Sequence, residues 1–283
     1  MQTKRRHSTT ALPLALAALL ASAPAPAHAQ SPANGVATSA PTSVDPISAI
    51  DIAGRQRMLS QRMAKAYLLL AMGVAVDESR ALLAASIERF EAQLAVLKAV
   101  ERSAEATAAL GGLERQWLAT KAVLVQPPSR AGADALYDAS EALQSAAHQV
   151  TLALERGPVS PAQRLVNLAG RQRMLTQRMA KFHLYRAWDA YAEAADMELH
   201  ASRAHFTAVL LRIERSHDSA AIGDAVRRVR EQWVPYEQAL LASRDPVRIR
   251  AGAAQMAAAS ERVLEATEQL VAAVIGEVRQ PRR

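Results

Sequence analysis

The sequence predicts an all-α protein, two tandem antiparallel four-helix bundles related by an internal repeat. Three observations carry this. The chain is rich in Ala with Leu, Glu, Gln and Arg, all strong helix formers. Gly and Pro are few and fall mostly at plausible breaks, and no useful length alternates with period two. Finally, Ile50-Asp-Ile-Ala-Gly-Arg-Gln-Arg-Met-Leu-Ser-Gln-Arg-Met-Ala-Lys65 returns as Val166-Asn-Leu-Ala-Gly-Arg-Gln-Arg-Met-Leu-Thr-Gln-Arg-Met-Ala-Lys181, 116 residues later.

Residues 1–29 read as a secretory signal peptide. Lys4-Arg5-Arg6 forms the charged region, Ala11 to Ala21 an apolar run too short to anchor, and Ala27-His28-Ala29 a small-x-small cleavage site. Arg5-Arg6 also admits a twin-arginine route, although the residues that usually follow it are missing. Removing this segment lowers the formal net charge from +7 to +4. That modest value, with the export signal, speaks against nucleic acid as a partner. The chain has no Cys, so it is expected in the periplasm, folded without disulfides. Residues 30–45 are small, polar and Pro-containing, and are expected to form a flexible linker.

The first copy spans 46–156, with helices near 46–73, 77–102, 104–125 and 131–156. Gly73 and Asp77 mark its first turn, and Pro127-Pro128-Ser129 its third. Gly157-Pro158-Val-Ser-Pro161 separates the copies. The second copy spans 161–280, with helices near 161–191, 193–216, 219–242 and 246–279. Asp245-Pro246 is a strong start, an N-cap Asp followed by Pro at the first helical position. The break between second and third helices is the least marked, with Ser103 and Ser219 as its only capping candidates. Further anchors repeat. Phe90 matches Phe206 and Gln116-Trp117 matches Gln232-Trp233 at 116 residues, whereas Ala139-Ser140-Glu141 matches Ala259-Ser260-Glu261 at 120. The aromatic anchors are expected in the core.

Within each box, helical spacing puts Gly54, Arg57 and Gln61 on one face, as it does Gly170, Arg173 and Gln177. Arg55 and Arg62, like Arg171 and Arg178, lie elsewhere and read as support or surface. A glycine inside a helix costs about 1 kcal/mol relative to Ala, so its reuse points to a close approach by a helix or a ligand. Neither Arg57 nor Arg173 has an acid three or four residues away. Residues 52–76 hold no Asp or Glu but four cations, and residues 156–188 none but seven. If the box helices pack together, Arg57 and Arg173 face each other. Two guanidinium groups about 6 Å apart repel by roughly 3 kcal/mol at an effective dielectric near 20. A planar oxyanion such as nitrate, nitrite, bicarbonate or a carboxylate would turn that repulsion into two attractions. No nucleophile or base accompanies the arginines, so binding is expected and enzymatic activity is not.

Met58, Met63, Met174 and Met179 also recur, but their spacing does not share a face and core packing is expected. His148, His183, His200, His205 and His217 do not repeat between copies. This argues against a paired metal or haem site and reads them as surface or partly buried. No metal or cofactor is expected.

At the boxes the pattern Ile/Val-Asn/Asp-x-Ala-Gly-x-x-Arg-Met-x-Ser/Thr-x-Arg resembles the P-box of nitrate/nitrite sensor kinases of the NarX and NarQ type. It also resembles the PilJ-type N-terminal domain of type IV pilus chemotaxis transducers. The resemblance implies a four-helix sensory domain whose box encloses nitrate through the arginine before Met and the preceding glycine. Those positions are Arg57 with Gly54, and Arg173 with Gly170. Asn167 keeps the usual Asn, whereas Asp51 departs from it and could pair with Arg55 or weaken anion affinity. Nothing in these residues resembles a kinase or a methyl-accepting region, so signalling across a membrane would need a partner. The expected function is an exported nitrate- or nitrite-binding module. The alternative is a helical interaction module that has lost the anion and docks to a membrane-bound sensor, transporter or pilus component. The boxes could pair within one chain or across a homodimer.

Overall fold

The computed structural model describes residues 44–100, 102–155, 161–188, 191–215 and 219–279. The expected signal peptide, nearly all of the 30–45 linker and the Gly157–Ser160 part of the spacer lie outside them. The described residues form eight helices: α1 (Pro46–Ala71), α2 (Val76–Ala99), α3 (Ala104–Leu124), α4 (Arg130–Glu155), α5 (Pro161–Tyr185), α6 (Ala192–Arg215), α7 (Ala220–Leu241) and α8 (Pro246–Arg279). No strand occurs among them.

Local chemistry explains most helix ends. Asp45 opens α1 as Asp245 opens α8, an Asp carboxylate accepting backbone N–H groups ahead of Pro at the first position. Its Oδ1 takes Ile47 N at 3.0 Å and Ser48 N at 3.1 Å, while Asp245 Oδ1 takes Val247 N at 2.8 Å. Asp45, the last residue of the expected linker, is the N-cap of α1. α1 stops at Gly73, whose φ of +70° suits a residue without Cβ. Gly73 N reaches Leu70 O and Val74 N reaches Leu69 O, closing the orphan carbonyls. Of the two serine candidates, Ser103 caps α3 through Ala106 N at 3.2 Å. Ser219 makes no side-chain cap; its hydroxyl goes to Glu277 Oε2 at 2.9 Å. α5 ends at Tyr185, short of the expected 191. The chain tightens into i+3 bonds there, and Arg186 turns to the carbonyls of Leu240 and Ser243 at 3.1 Å each.

The repeat is visible in the packing. α1 lies between α2 and α4, and α4 between α1 and α3; α5 likewise lies between α6 and α8, and α8 between α5 and α7. Short connections make consecutive helices antiparallel. Equivalent ring stacks join the outer pairs, Phe90 on Trp117 at 4.3 Å and Phe206 on Trp233 at 4.5 Å. These rings and the four box methionines are buried. α1 then packs along α5, so the eight helices form one compact unit around the box helices.

Gly132 on α4 shows how tightly α1 is seated. A Cβ there would stand 1.9 Å from the hydroxyl of Tyr67. Tyr67 is fully buried and its hydroxyl donates to Pro127 O while accepting from Ser129 N, both at 3.3 Å. Gly132→Ala must push this ring out of place. The expected cost is about 1–3 kcal/mol, the usual range for overpacking, read as a lower urea midpoint.

Candidate functional site

The two boxes meet where α1 crosses α5. Arg57 and Arg173 are essentially without solvent exposure. Each guanidinium folds back over the glycine one turn earlier. A Cβ on Gly54 would meet Arg57 Nη2 at 3.1 Å and Arg173 Nη2 at 3.8 Å; one on Gly170 would meet Arg173 Nη2 at 3.2 Å and Arg57 Nη2 at 3.9 Å. The glycines therefore make room for both arginine heads at a pseudo-two-fold axis. The remaining box polar groups serve packing. Gln61 and Gln177 Nε2 donate to Ser140 O at 3.1 Å and Ser260 O at 3.3 Å, anchoring each box to the last helix of its own half. Gln56 and Gln172 Nε2 donate to Phe90 O and Phe206 O, on the second helix of each half.

The outer box cations are not surface groups. Arg62 and Lys65 of α1 both hold Glu261 of α8, Lys65 at 2.5 Å, and Lys65 also donates to Ser260 Oγ at 2.9 Å. Arg178 and Lys181 of α5 hold Glu141 of α4 at 2.5 and 2.6 Å, and Lys181 donates to Ser140 Oγ at 2.9 Å. Each box is thus tied to the opposite half. This gives the repeated Ser-Glu anchor a role that its repetition alone had not disclosed. Although burial acts to raise Glu141 and Glu261, their Lys and Arg partners outweigh it and hold both at about 2. Burial pushes the Lys181 ammonium down to about 8, with Glu141 opposing that shift.

Around the axis the two halves differ. Asp51 and Glu268 supply the acids that local sequence denies to Arg173. Arg173 Nη2 donates to Asp51 Oδ1 at 2.5 Å, and Nη1 to Glu268 Oε2 at 2.9 Å. Arg55 completes the ring, reaching Glu268 Oε1 at 2.8 Å and Asp51 Oδ2 at 3.2 Å. Each carboxylate bridges two guanidinium groups through separate oxygens. Burial opposes both charges, yet the pairing leaves Arg173 above its usual range and Asp51 below its own.

Arg57 meets neutral groups at the matching positions. Its Nη2 donates to Asn167 Oδ1 at 2.7 Å, and its Nη1 lies 3.3 Å from His148 Nδ1. Because arginine only donates, that imidazole nitrogen is an unprotonated acceptor. Asn167 Nδ2 passes the contact on to Glu155 Oε2 at 3.0 Å. Burial, then Arg171 and Arg173, lower Arg57 to about 9 against the pull of Glu155 and Asp51. Burial, then Arg57 and Arg171, lower His148 to about 4. His148 is thus a site residue that the sequence reading placed among incidental histidines. The signal was present: His148 and Glu268 occupy matching positions at the 120-residue offset of the Ser-Glu anchors.

Residues 47–143 and 160–259 each match the family profile described as PilJ, the type IV pili methyl-accepting chemotaxis transducer N-terminal domain. The chain belongs to the PilJ family. The matched segments begin near the start of α1 and of α5, so each repeat half is one PilJ segment. PilJ is a signalling and sensor domain family, not an enzyme family. Comparisons with curated proteins and with solved structures returned no match. Among the described residues of this PilJ pair, no helix is long and apolar enough to cross a membrane, and no group of three or more His, Asp or Glu could hold a metal ion. A cleft of about 490 Å³ beside the ring is lined by Arg55, Arg62, Arg89 and Arg262 and by Glu261, Glu265 and Glu268, so its lining holds one more cation than acids.

Proposed function

We propose that the protein is an exported helical sensory module of type IV pilus or chemotaxis machinery, acting by docking to a membrane-bound sensor, transporter or pilus component. The observation that carries this reading is the match of both halves to the PilJ transducer domain. The finer reading, nitrate or nitrite clamped symmetrically between Arg57 and Arg173, has less support, because Arg173 already spends both Nη groups on Asp51 and Glu268. Exposed apolar side chains offer places for a partner to dock, among them Leu118 and Val125 on one half and Met197 and Val247 on the other. The test is deletion of the gene, scored for pilus-dependent surface movement and directional response, with photo-crosslinkers placed at Leu118 and Val247 in the restored protein. Impaired movement together with a crosslink to a pilus or transducer component is expected. Unchanged movement and no such crosslink would defeat the reading.

A further inference from the structure

α3 carries two seams with heptad spacing. The inner one, Ala106, Leu110, Leu113, Trp117, Thr120 and Leu124, is buried in its own half. The outer one repeats the same steps of three and four residues on the opposite face and runs to the C-cap: Ala108, Gly111, Arg115, Leu118, Ala122 and Val125. All of these but Gly111 are exposed, Leu118 at 67% and Val125 at 59%. The fold does not require such a face. The matching positions on α7, 116 residues later, are Asp224, Arg227, Glu231, Val234, Gln238 and Leu241, a mostly polar set. Gly111-Gly112 stands where α7 has Arg227-Arg228. Glycine weakens a helix, yet among the described residues a Cβ on Gly111 would meet only Arg115 Nη1, at 3.7 Å. Packing within the chain therefore does not ask for glycine there, whereas the close approach of a second helix does. A cleft of about 370 Å³ opens beside Gly111, lined by Leu94 of α2 and by Glu114, Trp117 and Leu118.

We propose that the chain forms a two-fold dimer in which the outer α3 seam pairs, antiparallel, with the same seam of a second copy. The stripe fits its own reverse. About a centre between Gln116 and Trp117, Ala108 faces Val125, Gly111 faces Ala122 and Arg115 faces Leu118, so the bulkier C-terminal half meets the smaller N-terminal half. The flanking charges set the direction. Glu114 and Lys121 each stand one residue before a seam position, and this register puts each Glu114 opposite Lys121 of the other copy, twice by symmetry. Within the chain Glu114 holds Lys98 and Lys121 holds Glu91, both at 2.5 Å, so pairing extends these contacts into two rows of alternating charge. Parallel pairing would set the same two residues against Ala119 and Gln126 and gain no charge contact. The box helices are already paired inside the chain, so a second copy needs a separate face. The contact is isologous and closes at two copies, since the polar α7 face offers no second seam. One helix pair with mostly small seam residues buries little area, so the dimer is weak and reversible.

The experiment is sedimentation velocity of the full chain from micromolar to millimolar concentration. A reversible monomer–dimer equilibrium is expected. Leu118→Glu should weaken it at least about tenfold, equivalent to about 1.4 kcal/mol, while circular dichroism stays unchanged because Leu118 is exposed. Val234→Glu, at the same place on α7, should leave it unaltered. Glu114→Lys and Lys121→Glu should each weaken the dimer, and the two together should restore it. The docking reading shares only Leu118 with this seam: a crosslinker there should capture a second copy, and one at Val247 the pilus or transducer component. A chain that stays monomeric at millimolar concentration would overturn the proposal while leaving the docking reading standing. Dimerisation that Leu118→Glu leaves intact, or that the double charge exchange fails to restore, would overturn it too.

Discussion

Glu261→Ala is expected to be among the most damaging single substitutions in the chain. Lys65 is wholly buried, and among the described residues its ammonium rests on Glu261 and Ser260. Arg62 leans on the same carboxylate. Removing one partner of a buried ion pair typically costs about 3–5 kcal/mol, because the remaining charge stays desolvated. Glu261 keeps 29% of its side chain exposed, so water relieves part of that cost and about 3 kcal/mol is expected. With an m-value near 3 kcal/mol/M, the urea midpoint should fall by about 1 M. Adding Lys65→Met to the alanine variant should recover much of the loss, because it withdraws the stranded charge and keeps an apolar side chain of similar length. Glu141→Ala, with Lys65→Met replaced by Lys181→Met, should repeat the pattern on the other side. A shift within about 0.5 kcal/mol for Glu261→Ala would class the tie with ordinary surface ion pairs.

This prediction could not have been made from the sequence alone, and the reason is distance along the chain. Helix ends were legible because their causes are local: Asp245-Pro246, Gly73 and Pro127-Pro128 act on the backbone beside them. Stacks such as Phe90 on Trp117 were legible as repeated anchors. The box glycines pointed correctly to a close approach, since both arginine heads lie over them. The acids for Arg173 were not legible, because they arrive from 122 and 95 residues away. Local spacing counts only neighbours at three or four residues, so an arginine without local acids looked open to a ligand on both sides of the axis. Asp51 pairs with Arg55 at i+4, a pairing that local spacing allows, and with Arg173 from the other half, which it does not disclose. The histidines do not repeat between the copies. For His148 the missing repeat is itself informative, because the matching position holds Glu268. His183 likewise departs from the reading, being 3% exposed at the α5–α7 contact.

His183 also governs the second large effect, loss of stability on acidification in two steps. Its Nδ1 lies 3.1 Å from Leu240 O, and a carbonyl only accepts, so Nδ1 carries the hydrogen of a neutral ring. Burial, then Arg186, lower its pKa to about 4 from the usual 6.5, with the Leu240 bond opposing. Between those values the unfolded chain binds a proton that the folded chain refuses, so stability falls as pH drops from 6.5 to 4. At about 1.4 kcal/mol per pKa unit this amounts to about 3 kcal/mol. Half-buried His148, also near 4, acts in the same direction. Glu141 and Glu261 then add the lower step. Their folded values near 2 lie below the usual 4.5, so the stability they contribute is complete above 4.5 and is lost as pH falls toward 2. Urea midpoints measured from pH 8 to 3 should therefore decline from about pH 6.5 and steepen below about 4.5. His183→Gln can still donate to Leu240 O but does not titrate, so it should shrink the upper step to what His148 contributes and leave the lower one. A midpoint that is level from pH 7 to 5 in the unaltered chain would show that His183 accepts its proton in place, with Leu240 O and the α5–α7 contact giving way to accommodate it.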